Sequence, residues 1–181
     1  MEVRVRHYLY TAVAVLALIA GTSAQAQTTG STTIGMDGVS HLAIGAGGFD
    51  LINGHKAAGA FHAEFRFGQQ FFYLHPLLGA EVTTDGALFG YGGLGLDINL
   101  GPHWVLTPNA AVGAFDRGSG LKLGSVVEFR TGAELDYRFA NDQRLGVAFH
   151  HISNGGLSKR NPGEEEMSLM YSLPISSLFA P

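Results

Sequence analysis

A histidine, a serine and a run of glutamates near the C-terminal end are the residues of this chain best suited to chemistry. His151 and Ser153 stand two positions apart, and Glu164, Glu165 and Glu166 follow shortly afterwards. A serine hydroxyl becomes a nucleophile when an imidazole accepts its proton and a carboxylate orients that imidazole. These residue types therefore indicate nucleophilic catalysis, provided that the fold brings one glutamate to the histidine.

The alternation of apolar residues selects one of the three glutamates. In the segment 145–153 apolar residues occupy every second position up to residue 149, and His151 and Ser153 continue that set. In the segment 165–175 the apolar residues also occupy every second position, and Glu165 shares their parity. Successive side chains of a strand point to opposite faces, so all three polar residues are expected on one face of one hairpin.

The register of this hairpin decides whether the three side chains meet. A pairing that places Phe149 opposite Met167 also places His151 opposite Glu165. Directly opposed residues have Cβ atoms ~4.5–5.5 Å apart, and Ser153 lies roughly 6.6 Å along the strand from His151. We therefore predict Ser153 as nucleophile, His151 as general base and Glu165 as the orienting acid. Interfacial caps and a solvated glutamate loop are the alternatives, and the shared parity argues against them.

Two glycines follow the serine after a single asparagine. Gly155 and Gly156 have no side chains, so their backbone N–H groups can closely approach an oxyanion. His150 adjoins His151 but belongs to the opposite parity. We expect His150 in the interior of the fold and not in the catalytic group.

The elements that must position these residues are β-strands. Segment 126–139 shows the pattern best, because its apolar residues stand at odd numbers and its charged residues at even numbers. Eight segments with this alternation are predicted as strands: 39–48, 60–67, 72–82, 94–100, 104–114, 126–139, 145–153 and 165–175. An even number of strands, joined alternately by short and longer connections, is typical of transmembrane barrels.

We therefore predict an all-β fold, an eight-stranded antiparallel transmembrane β-barrel of the outer membrane. Its apolar side chains would face lipid, and its charged side chains would pack a closed lumen. A soluble sandwich or a lipocalin-like barrel alternates in the same way with its apolar side inward. The aromatic residues on the apolar faces and the low content of charged residues, 14 %, favour the membrane.

Composition excludes several other classes. The formal net charge of the 181-residue chain is −4, which argues against a generally basic protein that binds nucleic acid. Cysteine is absent, so disulfides, cysteine–zinc sites and thiol nucleophiles are excluded. The other histidines lack the spacing of metal ligands, and we expect no metal and no cofactor.

The first 26 residues have the pattern of a signal peptide. Arg4 and Arg6 precede an apolar run from Tyr8 to Ala20, and small residues at 24 and 26 mark a cleavage site. We expect a signal peptide over 1–26 and a barrel domain over 27–181. After residue 26 no apolar run has the length of a membrane-spanning helix, so a membrane location requires a closed barrel.

The last hairpin carries a motif that extends beyond the three catalytic candidates. Its members are His151, Ser153, Asn154, Gly156, Leu157, Asn161 and Glu165. This motif resembles that of the lipid A 3-O-deacylase (PagL) family. The resemblance implies an eight-stranded outer-membrane barrel with a Ser-His-Glu triad on its outward face. It also implies that Asn154 matters for activity, and we expect supporting or oxyanion roles for Asn154, Gly155, Gly156 and Asn161.

The expected function is hydrolysis of the ester that links an acyl chain to the 3-position of lipid A. With both chain termini periplasmic, the triad lies at the depth of the outer leaflet, where lipopolysaccharide resides. The expected partners are lipid A and the outer-membrane lipids, with no nucleic acid, and the oligomeric state stays open. An outer-membrane phospholipase and a non-enzymatic structural or adhesive barrel are the alternatives.

Overall fold

The computed structural model describes residues 31–52, 54 and 56–178. The expected signal peptide over 1–26 lies outside this range. The elements are β1 (Thr32–Ile34), β2 (His41–Phe49), β3 (Ala58–Arg66), β4 (Leu74–Thr83), β5 (Leu88–Leu96), β6 (Ile98–Leu100), β7 (Trp104–Asp116), β8 (Val127–Arg138), β9 (Arg144–Ser153), β10 (Glu164–Pro174) and α1 (Ile175–Leu178). No helix among the described residues is long and apolar enough to cross a bilayer.

The strands β2 to β10 close into an antiparallel barrel. Strands that are neighbours in the chain pair with each other, and β10 pairs back with β2. Strands β5 and β6 both pair with β7 and form one barrel strand, interrupted at Asp97. The short β1 extends the edge beside β6. The barrel therefore has eight strands, which confirms the number predicted from the alternation.

The barrel wall is apolar outside and polar inside. On β8 the side chains of Phe129 and Leu135 are exposed, whereas Glu128, Arg130 and Glu134 are buried in the lumen. A soluble barrel would bury its apolar side, so the soluble alternative is wrong for this chain. A lipid bilayer is the solvent that matches an apolar outer wall on a closed barrel.

Ion pairs fill the lumen. The guanidinium of Arg66 donates to both carboxylate oxygens of Glu134, at 3.0 and 2.6 Å, and to Oε1 of Glu64 at 2.7 Å. Arg144 Nη1 donates to Asp97 Oδ2 at 2.7 Å. Buried charges are tolerated when they are paired. This pairing explains how charged residues can alternate with lipid-facing ones along a membrane strand.

The two ends of the barrel differ. At the turn end, short turns join β3 to β4, β6 to β7 and β8 to β9; β2 begins there and β10 ends there. At the site end, loops join β2 to β3, β7 to β8 and β9 to β10, and a short turn joins β4 to β5. Exposed aromatic residues gather at the turn end, as expected at a membrane interface: Phe71, Phe72, Tyr73, Trp104 and Tyr137. The histidine, serine and glutamate of interest lie at the site end.

Candidate active site

The hairpin of β9 and β10 has the predicted register. Phe149 lies opposite Met167, and His151 lies opposite Glu165. The apolar residues of both strands face outward, so the same alternation that builds the lipid-facing wall carries His151 and Glu165 to its outer surface. The predicted pairing is confirmed. The catalytic roles of these residues remain predictions.

A direct contact joins the histidine to the glutamate. Nδ1 of His151 lies 3.3 Å from Oε1 of Glu165, and the two side chains are 37 % and 20 % exposed. This partial exposure on the outer wall leaves the imidazole accessible from outside the barrel. Because Nδ1 faces the carboxylate, the opposite nitrogen, Nε2, is the atom available to accept a proton from a nucleophile.

Ser153 is the last residue of β9 and lies two positions beyond His151 on the same face. It lies opposite Phe129 of the neighbouring strand β8, and its side chain is half-buried. The hydroxyl has no hydrogen-bond partner among the described residues. The arrangement therefore places a free hydroxyl on the same strand and face as an imidazole that is held by a carboxylate.

Asn154 is the centre of the loop that follows the serine. It is fully buried, and its Nδ2 donates to the carbonyl oxygens of Leu123 at 3.1 Å and Arg160 at 2.8 Å. Its Oδ1 accepts the backbone N–H of Gly156 at 2.9 Å. The side chain thus ties the β9–β10 loop to the β7–β8 loop. This position supports the loop beside the serine and gives the amide no exposure to a substrate.

The other three predicted support residues lie around Asn154. The N–H of Gly156 is engaged by the asparagine, whereas the N–H of Gly155 donates to no described residue. Oδ1 of the exposed Asn161 accepts the backbone N–H of Asn154 at 3.0 Å. This bond leaves the side-chain NH₂ group of Asn161 as a second donor near the end of β9.

Sequence reasoning missed the contact that Gly163 makes with the imidazole. The glycine is buried with a φ of +68°, and a Cβ built there would lie 2.7 Å from Cε1 of His151. The Pro162–Gly163 pair signals a turn in the sequence. It does not signal which side chain packs against that turn.

The β2–β3 connection anchors the start of β10, which is a second feature that the sequence does not reveal. The backbone N–H of Leu51 donates to the carbonyl oxygen of Glu165 at 3.0 Å. The N–H of Asp50 donates to Oε2 of Glu164 at 3.1 Å. The strand segment that carries Glu165 is therefore held from a loop far away in the chain.

Substitution of Gly163 by alanine is expected to reduce ester hydrolysis. The added Cβ pushes the imidazole away from Gly163, and a displacement of about 1 Å in a catalytic group costs up to ~10²-fold in rate. We expect kcat to fall about tenfold or more. Gly86→Ala is the matched control, because Gly86 has a φ of +84° and no atom within 4 Å of a built Cβ. Equal kcat values for the two folded variants would contradict this role of Gly163.

Comparisons with known proteins identify the family of this chain and its structural neighbours. A family model described as lipid A 3-O-deacylase (PagL) matches residues 17–174. The lipid A deacylase PagL of Pseudomonas aeruginosa is 43 % identical over 53 residues, which are 29 % of this chain and 31 % of that protein. The sequence match thus spans less than a third of that relative's length.

Two solved structures have similar folds. The crystal structure of the outer membrane enzyme PagL superposes with a TM-score of 0.61 at 22 % identity, covering 75 % of this chain and 99 % of that one. A de novo designed transmembrane β-barrel superposes with a TM-score of 0.54 at 12 % identity, covering 76 % of this chain and 96 % of the design. At these identities the superpositions describe the fold alone.

Proposed function

The chain belongs to the lipid A 3-O-deacylase (PagL) family, and on that premise we propose that it hydrolyses the ester at the 3-position of lipid A in the outer leaflet of the outer membrane. The observation that carries the proposal is the contact between His151 and Glu165 on the outer wall, at the site end of the barrel. The test is mass spectrometry of lipid A incubated with the purified barrel. Release of the 3-position acyl chain is expected, and an unchanged lipid A mass would contradict the proposal.

The proposed chemistry is that of a serine esterase. Oγ of Ser153 attacks the ester carbonyl carbon, and Nε2 of His151 takes the hydroxyl proton. The imidazolium then protonates the departing sugar oxygen, which leaves an acyl group on the serine. Water, deprotonated by the same imidazole, releases the fatty acid. Glu165 holds the ring through Nδ1 and stabilises its positive charge in both half-reactions.

The oxyanion of the tetrahedral intermediate needs N–H donors close to Ser153. The unengaged N–H of Gly155 and the side-chain NH₂ of Asn161 are the groups that we assign to this task. Asn154 and Gly156 belong to the support, since their polar atoms bind each other and the loop. Donors held by a hydrogen-bonded loop are preorganised, which is the condition for stabilising developing charge.

The wall around the triad suits an acyl chain. Phe129 lies beside Ser153 on β8, Phe149 precedes His151 on β9, and Met167 follows Glu165 on β10. All three apolar side chains are exposed to the outside of the barrel. An acyl chain lying along this wall stays in contact with apolar surface while its ester reaches the serine at the strand end. A binding cavity in the lumen is not required.

The surface cations favour lipid A over the alternative phospholipid substrate. Within the described ranges, every exposed lysine or arginine lies in a site-end loop: Lys56, Arg117, Lys122, Lys159 and Arg160. Lys159 and Arg160 belong to the same loop as Asn154, and Arg160 Nε binds the carbonyl of Lys122 at 2.8 Å. Lipid A presents phosphate groups on a sugar headgroup at this depth, and clustered cations match them.

Removal of two of these charges is expected to weaken substrate binding without changing the chemical step. For the double variant Lys122→Gln/Lys159→Gln we expect KM for lipid A to rise roughly three- to tenfold at low salt, with kcat nearly constant. The rise should shrink as salt screens the charges of the unmodified protein. Initial rates on lipid A micelles at several salt concentrations provide the measurement.

Acyl release from phospholipid vesicles is the companion measurement. Two results would contradict the preference for lipid A. One is faster turnover of phospholipid than of lipid A, and the other is a KM for lipid A that does not change in the double variant. The serine chemistry would survive that result, because it depends on the hairpin and not on the loop cations.

A further inference from the structure

The lumen of the barrel contains more acidic than basic side chains. Three arginines are buried on the described strands: Arg66, Arg130 and Arg144. Eight carboxylates are buried on these strands or at the break between β5 and β6: Glu64, Glu81, Asp97, Glu128, Glu134, Asp136, Glu164 and Glu166. Each arginine pairs with at least one acid, so the excess negative charge must be neutralised by protons or by another cation.

The excess negative charge is most evident around one histidine, where side chains from three strands meet. His62 on β3 lies directly opposite Glu81 on β4, and its Nδ1 is 3.9 Å from Oε2 of that glutamate. Its Nε2 is 3.9 Å from Oε2 of Glu166 on β10. One ligand atom from each of the three residues lies within 4.8 Å of the others. We call His62, Glu81 and Glu166 the lumen cluster.

The intervening strand β2 makes room for this convergence. Gly47 of β2 lies opposite Ser168, and a side chain built at that glycine would collide with the serine Oγ. In the absence of a side chain, Ser168 Oγ reaches across β2 to Nε2 of His62 at 2.8 Å. This hydrogen bond orients the imidazole, in the manner of the outer-shell partners that fix metal-binding histidines.

Several polar atoms of the lumen cluster have no hydrogen-bond partner in the described part of the chain. They are Nδ1 of His62, both carboxylate oxygens of Glu81 and Oε2 of Glu166. All three side chains are at least 99 % buried. Glu81 also makes no ion pair with a described arginine. Buried acceptors without partners are strongly unfavourable, and four of them around one small volume point to a shared ligand.

We propose that the lumen cluster binds one divalent transition-metal ion of the Zn²⁺ class through a ring nitrogen of His62 and one carboxylate oxygen each of Glu81 and Glu166. One imidazole and two carboxylates form a ligand set that zinc accepts, with bonds of about 2.0–2.2 Å. The side chains need to close by roughly an ångström to reach such distances. The two carboxylates balance the charge of the ion.

The ion would tie β3, β4 and β10 together inside the barrel. Glu166 is adjacent to Glu165, but the two side chains point to opposite sides of the wall. The metal therefore lies behind the triad and takes no part in ester hydrolysis. Its role is structural, and it does not depend on the proposed substrate.

The test uses tag-free protein, refolded into detergent with either Zn²⁺ or Co²⁺ and then washed with a chelator. We expect one metal ion per chain by elemental analysis, visible absorption bands for the Co²⁺ form and a higher melting temperature with Zn²⁺ than without. His62→Gln and Glu81→Gln should each lower metal retention at least tenfold. His41→Gln is the matched control, because His41 is also a buried histidine but lies at the turn end, at the start of β2.

Two results would overturn the proposal. Refolded wild-type protein that retains no metal excludes the site, and metal retention that is unaffected by both substitutions places the ion elsewhere. Glu81→Gln separates the metal from its rival, a proton shared by Glu81 and Glu166. If Glu81 and Glu166 share a proton, Glu81→Gln leaves the melting temperature equal to or higher than that of the wild type. The melting temperature then does not depend on Zn²⁺. With a bound ion, the substitution removes the Zn²⁺-dependent rise in melting temperature.

Discussion

Replacing Ser153 with alanine is expected to abolish acyl release from lipid A while leaving a folded barrel. The hydroxyl is the only atom removed, and no described residue hydrogen-bonds to it, so packing and strand pairing are unaffected. Loss of the proposed nucleophile eliminates the covalent step, and we expect kcat to fall by at least ~10³-fold. Initial rates on lipid A micelles, with lipid products identified by mass spectrometry, provide the measurement.

The control for this variant is a test that the Ser153→Ala protein is folded. Heat-modifiable migration in gels and an unchanged melting temperature would establish that the Ser153→Ala barrel is intact. Retained turnover in such a protein would exclude the serine mechanism. An inactive wild-type protein would instead support the non-enzymatic alternative, in which the barrel serves a structural or adhesive purpose.

Glu165→Gln is expected to lower kcat by about 10²- to 10⁴-fold. Glutamine keeps the shape of the side chain but removes the negative charge that orients His151 and stabilises its protonated form. The effect should be smaller than that of Ser153→Ala, because a partly exposed imidazole retains some activity without its carboxylate. KM should change little, since the glutamate contacts the histidine and not the acyl chain.

The neighbouring Glu164 offers a matched control for Glu165. Its side chain is buried in the lumen, where Oε2 accepts the N–H of Asp50, and glutamine can preserve that bond. We expect Glu164→Gln to stay within about threefold of wild-type kcat. If Glu164→Gln proved the more damaging change, the orienting acid would have to be reassigned, although Ser153 and His151 could keep their roles.

The strands and the face that carries His151 and Glu165 are predictable because a membrane barrel imposes one rule on every residue. Apolar side chains must face lipid and charged ones must face the lumen, so the positions of Phe149 and Met167 determine where His151 and Glu165 point. A shift of the strand register by one residue would move every side chain of that strand to the opposite face of the wall. The alternation therefore predicts the register between β9 and β10 as well as the existence of the strands.

The loops and the lumen partners followed no such rule. The sequence predicts a supporting or oxyanion role for Asn154, but it does not indicate that the buried side chain joins its own loop to the β7–β8 loop. Asp97 interrupts its strand and binds Thr107 and Arg144, which belong to other strands. Contacts of this kind depend on the closed barrel, and local spacing carries no information about them.

The partial exposure of His151 and Glu165 on the outer wall changes what substrate concentration means for this protein. Under the proposed function, lipid A reaches these residues by lateral diffusion within a leaflet, so encounters follow its surface density and not its amount per volume of solution. Velocities measured in mixed micelles should scale with the mole fraction of lipid A. The freed fatty acid also departs sideways into the same layer. A leaflet stiffened by divalent ions would slow turnover with every residue of the protein unaltered.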